Sequence, residues 1–327
     1  MLCRPSLNNP ALTCLKSIKK TTMSTTQVPA TAVVFAYHSV GVRSIKTLLA
    51  RGVQIKLVVS HTDNPAETIW FESVADLCRE QNIPCITPDD PKSVDLKQRL
   101  ASLAPDFIFS FYYRHMLPLD ILALAKRGAY NLHGSLLPKY RGRVPVNWAV
   151  LHGETETGAT LHEMALKPDA GAIIAQAAVP ILPDDTAYEV FGKLTVAGEQ
   201  CLWNALPALI AGTAKTLPND LTQGSYFGGR KPEDGRIDWQ QTAQQVYNLH
   251  RAVAPPYPGA FFDQAGHRFI IGKARLFHGN AANLPIGLHV VDNNVLGVCG
   301  DGRALHIIEL LLDGKALTAQ ELTALLN

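Results

Sequence analysis

Asn131 and His133 stand two residues apart at the end of an apolar run, Ala129-Tyr-Asn-Leu-His-Gly-Ser135. On a strand, period-two geometry puts both side chains on one face. An amide donor beside an imidazole suits acyl transfer. One group can stabilise a developing oxyanion while the other moves a proton. Such an imidazole needs a carboxylate to orient it or to raise its pKa. Asp169, in the turn Pro168-Asp-Ala-Gly171, is the candidate, although spacing alone does not bring it to His133. The same residues also fit a plain Asn/His turn that satisfies backbone groups, with Asp169 as an ordinary turn former.

These residues need a scaffold, and the surrounding pattern describes one. Thr31 to Tyr37 is a short apolar run and reads as a buried strand, followed by a turn at His38, Ser39 and Gly41. A helix follows with Ile45, Leu48 and Leu49 on one face, and Gly52 stops it. Val53 to Ser60 reads as a strand, Ala66 to Gln81 as a helix and Pro84 to Thr87 as a short strand. Asp95 to Leu103 reads as a helix and Asp106 to Tyr112 as a strong strand. The strand ending at His133 is the next. Strands alternating with helices imply an α/β, Rossmann-like, mostly parallel sheet, whose functional groups gather beyond the carboxyl ends of the strands. Tyr188 to Ala211 reads as an amphipathic helix burying Phe191, Leu194, Cys201 and Leu209. A stretch dense in Gly, Pro, Asn and Asp comes next and reads as a linker. After it, one helix (Thr242 to Val253) and a series of short strand-like runs predict a small OB-like β-barrel. The expected domains are a disordered leader at 1–29, a catalytic domain at 30–215, a linker at 216–234 and the barrel at 235–327.

Composition narrows the class. The chain has 327 residues, 47% hydrophobic and 18% charged, with a net charge of +2. That balance suits a globular protein and offers no general attraction for a polyanion. The cysteines (Cys3, Cys14, Cys78, Cys85, Cys201 and Cys299) form no Cys-x-x-Cys pair, which fits reduced thiols in the cytosol. No cluster has metal-ligand spacing, so no metal is expected. No run is long and apolar enough for a membrane helix, and a cytoplasmic location is expected. The turn His38-Ser-Val-Gly41 lacks the glycine pattern of a dinucleotide site, so no NAD is expected. The first residues read as a leader, with Met23 an alternative start and a transit peptide the weaker reading.

The run HGSLLPKYRG, followed by ETGATLH and DAGAI, resembles the folate-dependent formyltransferase family. The nearest resemblance is to the formyltransferase part of the bifunctional polymyxin-resistance enzyme, which acts on UDP-4-amino-4-deoxy-L-arabinose in lipid A modification. It runs through VVFAYHSVG, HTDNPAE, FSFYYRHM, NWAVLHGETETG and RAVAPPYPGAF, from Thr31 to about Gly272. The resemblance implies that 10-formyltetrahydrofolate is the co-substrate. It implies that Asn131 holds the formyl oxygen, that His133 is the general acid/base, and that Asp169 sets the tautomer of His133. It also implies a folate site lined by His115, Met116 and Leu117, by Arg143, and by Ala165, Leu166, Lys167, Pro168 and Asp169. Read as bare residues, His115 is a surface turn residue, Met116 and Leu117 are core packing, and Arg143 is a solvated charge.

The acceptor amine divides the family. A methionyl-tRNA enzyme should carry a basic insertion after the second strand to grip phosphates. Here the stretch from Ser60 to Leu77 contains neither Lys nor Arg, and RGRVPVNW resembles the sugar enzyme. A nucleotide amino sugar is therefore the expected partner, methionyl-tRNA the alternative, and nucleic acid and membrane are not expected partners. The chain ends soon after the barrel, so any decarboxylase step falls to a separate polypeptide, and a homo-oligomer is left open. From other classes, a formyltetrahydrofolate hydrolase or an inactive folate-binding module would share much of this sequence.

Overall fold

The structure, a computed structural model, describes residues 28–65 and 67–326. The readings of the leader, of Cys3 and Cys14 and of the start at Met23 lie outside the described residues. The first half runs β1 (Thr31–Ala36), α1 (His38–Ala50), β2 (Gln54–Val59), α2 (Val74–Glu80), β3 (Cys85–Ile86), α3 (Val94–Leu103) and β4 (Phe107–Phe111). It continues through α4 (Leu119–Leu122), β5 (Gly128–His133), β6 (Arg141–Gly142), α5 (Pro145–Leu151), β7 (Glu156–Glu163), β8 (Ile173–Pro180) and α6 (Ala187–Ala211). One sheet takes the order β3-β2-β1-β4-β5-β7-β8. Its first five strands are parallel, and β7 and β8 close it as an antiparallel pair.

The continuous apolar runs explain why these strands are central. A strand covered on both faces has no polar side to show, so β1 (TAVVFA) and β4 (FIFSF) are dominated by apolar residues on both faces. Val33, Phe35, Leu57 and Ile108 pack on one face with Leu96 and Leu100 of α3. Ala32, Val34, Phe107 and Phe109 pack on the other with Ile45 and Leu48 of α1 and Leu194, Leu202 and Leu206 of α6. Thr186 opens α6 with a reciprocal cap to Glu189, and Gly212 ends it in the left-handed region at φ 70°.

The second half runs β9 (Tyr226–Phe227), α7 (Ala243–Val253), β10 (Ala260–Gln264), β11 (His267–Leu276), β12 (Gly287–Val291), β13 (Asn294–Val298), β14 (Ala304–Leu312), β15 (Lys315–Ala316) and α8 (Ala319–Leu326). The strands β10-β11-β14-β13-β12 form an antiparallel sheet, with β15 added on β14. It is a curled half-barrel, so the expected barrel is present in open form. The two halves are bonded: Asn147 Nδ2 donates to the Ala252 carbonyl (2.7 Å), and the Tyr247 hydroxyl to Asp184 (2.7 Å). The cysteines among the described residues are free thiols. No helix among the described residues is long and apolar enough to cross a membrane.

Two local expectations are corrected, and one unassigned segment gains its elements. The helix read from Ala66 starts only at Val74, where Ser73 accepts the Asp76 N–H. The preceding Trp70 and Phe71 pack their rings on His38 instead of joining the helix. The turn read at His38 to Gly41 is the first turn of α1, because His38 alone, at φ 68°, changes the chain direction. Residues 156–180, assigned no element from the sequence, form the β7–β8 hairpin.

Candidate active site

Strand β5 delivers Asn131 and His133, and β7 lies antiparallel beside it with Asn131 opposite His162 and His133 opposite Thr160. The nine residues from Met164 to Ala172 then return between β7 and β8, and Asp169 sits on that loop at φ 50°. The loop is tied down at both ends. Met164 N–H donates to the Ala129 carbonyl (2.8 Å) and Glu163 N–H to the Ala172 carbonyl (2.9 Å). Gly171 has to be glycine-sized, because a Cβ there would lie 1.9 Å from the Glu163 carbonyl oxygen.

This closure brings Asn131, His133 and Asp169 together. The His133 ring is buried. Its Nε2 lies 2.8 Å from the Tyr140 carbonyl, which can only accept, so Nε2 carries a proton. Nδ1 is then the open nitrogen, and it faces Asp169 Oδ1 at 3.6 Å. His162 Nε2 lies 3.5 Å from the same oxygen. The Nδ1 of His162 donates to the Glu163 carbonyl (2.7 Å), which leaves its Nε2 to accept from the Asn131 amide (3.0 Å). One hydrogen of that amide is thus used, and the second remains for another acceptor. The other Asp169 oxygen accepts the Gly142 N–H (2.8 Å).

The charges follow from these contacts. Burial pulls His133 below the ordinary imidazole range, against the pull of Asp169 and of the Tyr140 carbonyl. Burial pushes the Asp169 carboxyl up, but attraction to His133 when that ring is protonated, the His162 ring and the Gly142 N–H outweigh it and hold it at about 2. The result is a neutral, buried imidazole with an open nitrogen beside a fixed carboxylate. A proton arriving at Nδ1 would find Asp169 on one side and leave Nε2–H bonded to Tyr140 on the other. That arrangement accepts and returns a proton, and the spare Asn131 N–H beside it can hold an oxyanion.

The other residues singled out from the sequence form separate groups. Ala165 and Pro168 are half-buried, and Leu166 and Lys167 exposed, on the loop that carries Asp169. His115 and Met116 are exposed after β4, while Leu117 is buried in the core with Val33 and Phe35. Arg143 is exposed, with its backbone N–H on the Phe227 carbonyl (3.0 Å). Beyond β1 and β4 lies an aromatic wall. His38 stacks on Phe71 (3.8 Å), and Trp70 touches Phe191, Tyr188 and Tyr257 edge-on. Tyr112 brings this wall to β5, since a Cβ on Gly134 would meet its hydroxyl at 2.5 Å. Arg114 grips Glu67 through two 2.8 Å bonds and so fixes the loop that precedes Trp70.

His162 and the Tyr140 carbonyl were not singled out from the sequence. For His162 the signal existed, since a strand pairing that places it opposite Asn131 would have shown it. A backbone carbonyl leaves no signal at all. Among the described residues, no group of three or more His, Cys, Asp or Glu could hold a metal ion.

The two halves of the chain each match a known family. Residues 32–206 match the family described as "Formyl transferase", and residues 230–326 match "Formyl transferase, C-terminal domain". Among solved structures, the chain is similar to WlaRD, a sugar 3N-formyl transferase crystallised with dTDP and 5-N-formyl-THF. The two are 20% identical over 88% of this chain and 98% of that one, with a TM-score of 0.69. It is similar to an N-formyltransferase from Helicobacter canadensis in complex with folinic acid and dTDP-3-aminofucose (20% identity, 85% and 98% covered, TM-score 0.68). A 4-N formyltransferase from Francisella tularensis is also similar (19% identity, 73% and 95% covered, TM-score 0.60).

Proposed function

The chain belongs to the formyl transferase family, and from that premise we propose that it moves a formyl group from 10-formyltetrahydrofolate to the amine of a nucleotide amino sugar. UDP-4-amino-4-deoxy-L-arabinose is the specific acceptor this reading favours, and the cytoplasm is the proposed location. The observation that carries it is the His133 ring held between the Tyr140 carbonyl and Asp169, with the Asn131 amide on the same strand.

When bound, the folate supplies a formyl carbon on N10, which a neutral primary amine attacks as the carbon–N10 bond breaks and the amine proton passes to N10. The chain's own residues hold the charges of that exchange. Asn131 directs its spare N–H at the oxygen that becomes negative. His133 takes the amine proton at Nδ1, where Asp169 stabilises the imidazolium, and returns it to the departing nitrogen. Asp169 stays ionised throughout, since its carboxyl is held at about 2. For the folate itself, the Tyr113 hydroxyl is buried without a partner, and its ring lies 5.8 Å from that of His115. A polar heterocycle beside residues 113–117 would satisfy it.

The acceptor reading draws support from the loop after β2, which carries Asp63, Glu67 and Glu72 and no Lys or Arg before Trp70. A loop with no cation of its own does not grip a stem of phosphates. The similar solved sugar formyltransferases, one of them in complex with dTDP-3-aminofucose, support the same reading. The test offers 10-formyltetrahydrofolate with UDP-4-amino-4-deoxy-L-arabinose, with dTDP-amino sugars and with methionyl-tRNA, and follows the products by mass spectrometry. A formylated UDP-sugar is expected. Formylation of a dTDP-sugar alone would correct the sugar, and of the tRNA alone would overturn the acceptor class.

A further inference from the structure

We propose that the segment 217–228 is a positioning strap for the catalytic histidine, in which Asn219 fixes Asp169 and Ser225 fixes Tyr140. The proposal rests on the catalytic reading above. The strap lies between the two matched family regions, 32–206 and 230–326, and so belongs to neither.

It is bonded to the site along its length. Leu217 and Ile173 exchange backbone hydrogen bonds of 2.7 and 2.9 Å. The Asn219 amide donates one hydrogen to the carbonyl of Asp169 and the other to that of Gly171, both at 3.0 Å. Its orientation is fixed, because the opposite flip would aim an oxygen at two carbonyls. The Asn219 Oδ1 is left buried without a partner, so the two donations are what hold this side chain here. They act on the residue that needs holding, since Asp169 stands at φ 50°, an unfavourable region for a side-chain-bearing residue.

At the far end, the Ser225 hydroxyl accepts the Tyr140 N–H (2.8 Å), and the Ser225 carbonyl accepts the Arg141 N–H (3.0 Å). Gly224 passes so close to Pro138 that a Cβ would lie 2.3 Å from its carbonyl oxygen. The strap thus grips both groups that hold the His133 ring, one at Nδ1 and one at Nε2. The groups near that ring are Asp169, His162, the Tyr140 carbonyl and, beyond Gly134, the Tyr112 hydroxyl. None belongs to the strap, so Asn219 and Ser225 act through Asp169 and Tyr140.

The test compares Asn219→Ala, the near-isosteric Asn219→Asp and Ser225→Ala with Thr222→Ala, whose hydroxyl bonds only within the strap. Two readouts are taken: the His133 titration by NMR, which needs no substrate, and kcat and KM against pH with whichever amine turns over. Displacing Asp169 by about 1 Å should cost roughly ten- to a hundredfold in kcat with KM little changed. Because Asp169 favours protonated His133, its displacement should move the His133 titration and the acid limb of kcat to lower pH. Thr222→Ala should match wild type. The strap is overturned if the Asn219 variants keep the wild-type titration and rate, or if lost activity follows only lost folded protein. An Asn219→Ala that does not fold leaves Asn219→Asp to decide. A wild-type protein that transfers no formyl group would refute the catalytic reading, while the NMR titration would still decide the strap.

Discussion

His133 donates its Nε2 proton to the Tyr140 carbonyl at 2.8 Å, and that one bond decides which nitrogen of the ring can do chemistry. The donation leaves Nδ1, the unprotonated nitrogen, facing Asp169. The ring is neutral through burial, yet its protonated form is the better bonded one. That combination suits a group that must take a proton and then return it.

The Tyr140 contribution should come from its backbone. In Tyr140→Phe the carbonyl stays, and only the hydroxyl bond to Glu154 (2.8 Å) is lost. Urea unfolding should show a loss of about 1–2 kcal/mol, with kcat within about threefold of wild type. A fall in kcat of a hundredfold would mean that the Tyr140–Glu154 pair takes part in the reaction.

Asn131 should act at the oxyanion. Asn131→Ala should lower kcat by about a hundred- to a thousandfold, the effect of removing one such donor, and change the KM for folate little. A large rise in KM with kcat retained would recast Asn131 as a binding residue.

Much of this site could be read from the chain, for a local reason. Asn131 and His133 fall on one strand, so their spacing alone put them on one face. The apolar runs of β1 and β4 likewise announced buried parallel strands. Asp169 was a candidate by residue type, but its approach to His133 depends on the β7–β8 hairpin, and a loop's return path has no periodicity to read. The same limit hid His162, which matters only through its register against Asn131. It also hid the late start of α2, where ring packing by Trp70 and Phe71 overrode a helical pattern.

Gly171→Ala should damage the site without touching a titratable group. The added Cβ meets the Glu163 carbonyl, so the loop bearing Asp169 must shift. Tm should fall and kcat should drop by at least about tenfold. Wild-type kinetics in this variant would show that the loop adjusts freely and that Asp169 is not held where it acts.

Acid should destabilise the protein from pH 6.5 downward. Burial, with the Arg114 charge, holds His38 at about 3; burial, with Arg275 and Arg251, holds His250 at about 4. Both take up a proton near 6.5 once unfolded. Folded values below unfolded ones mean that the stability is fully present above pH 6.5 and is lost as pH falls towards 4. Each histidine adds a slope of about 1.4 kcal/mol per pH unit in that window. Denaturant titrations at pH 7, 6 and 5 should show this slope, and His250→Gln should make it shallower. Stability unchanged from pH 7 to 5 would mean that neither ring is held neutral.

The most direct measurement is single-turnover formyl transfer from 10-formyltetrahydrofolate to UDP-4-amino-4-deoxy-L-arabinose by wild type, His133→Ala and Asp169→Asn, with the formylated amine counted by mass spectrometry. Transfer by wild type is expected, with a loss of about a hundred- to ten-thousandfold in His133→Ala and a loss in the same direction in Asp169→Asn. A His133→Ala rate equal to wild type would contradict a proton-transfer role for the histidine held between Tyr140 and Asp169.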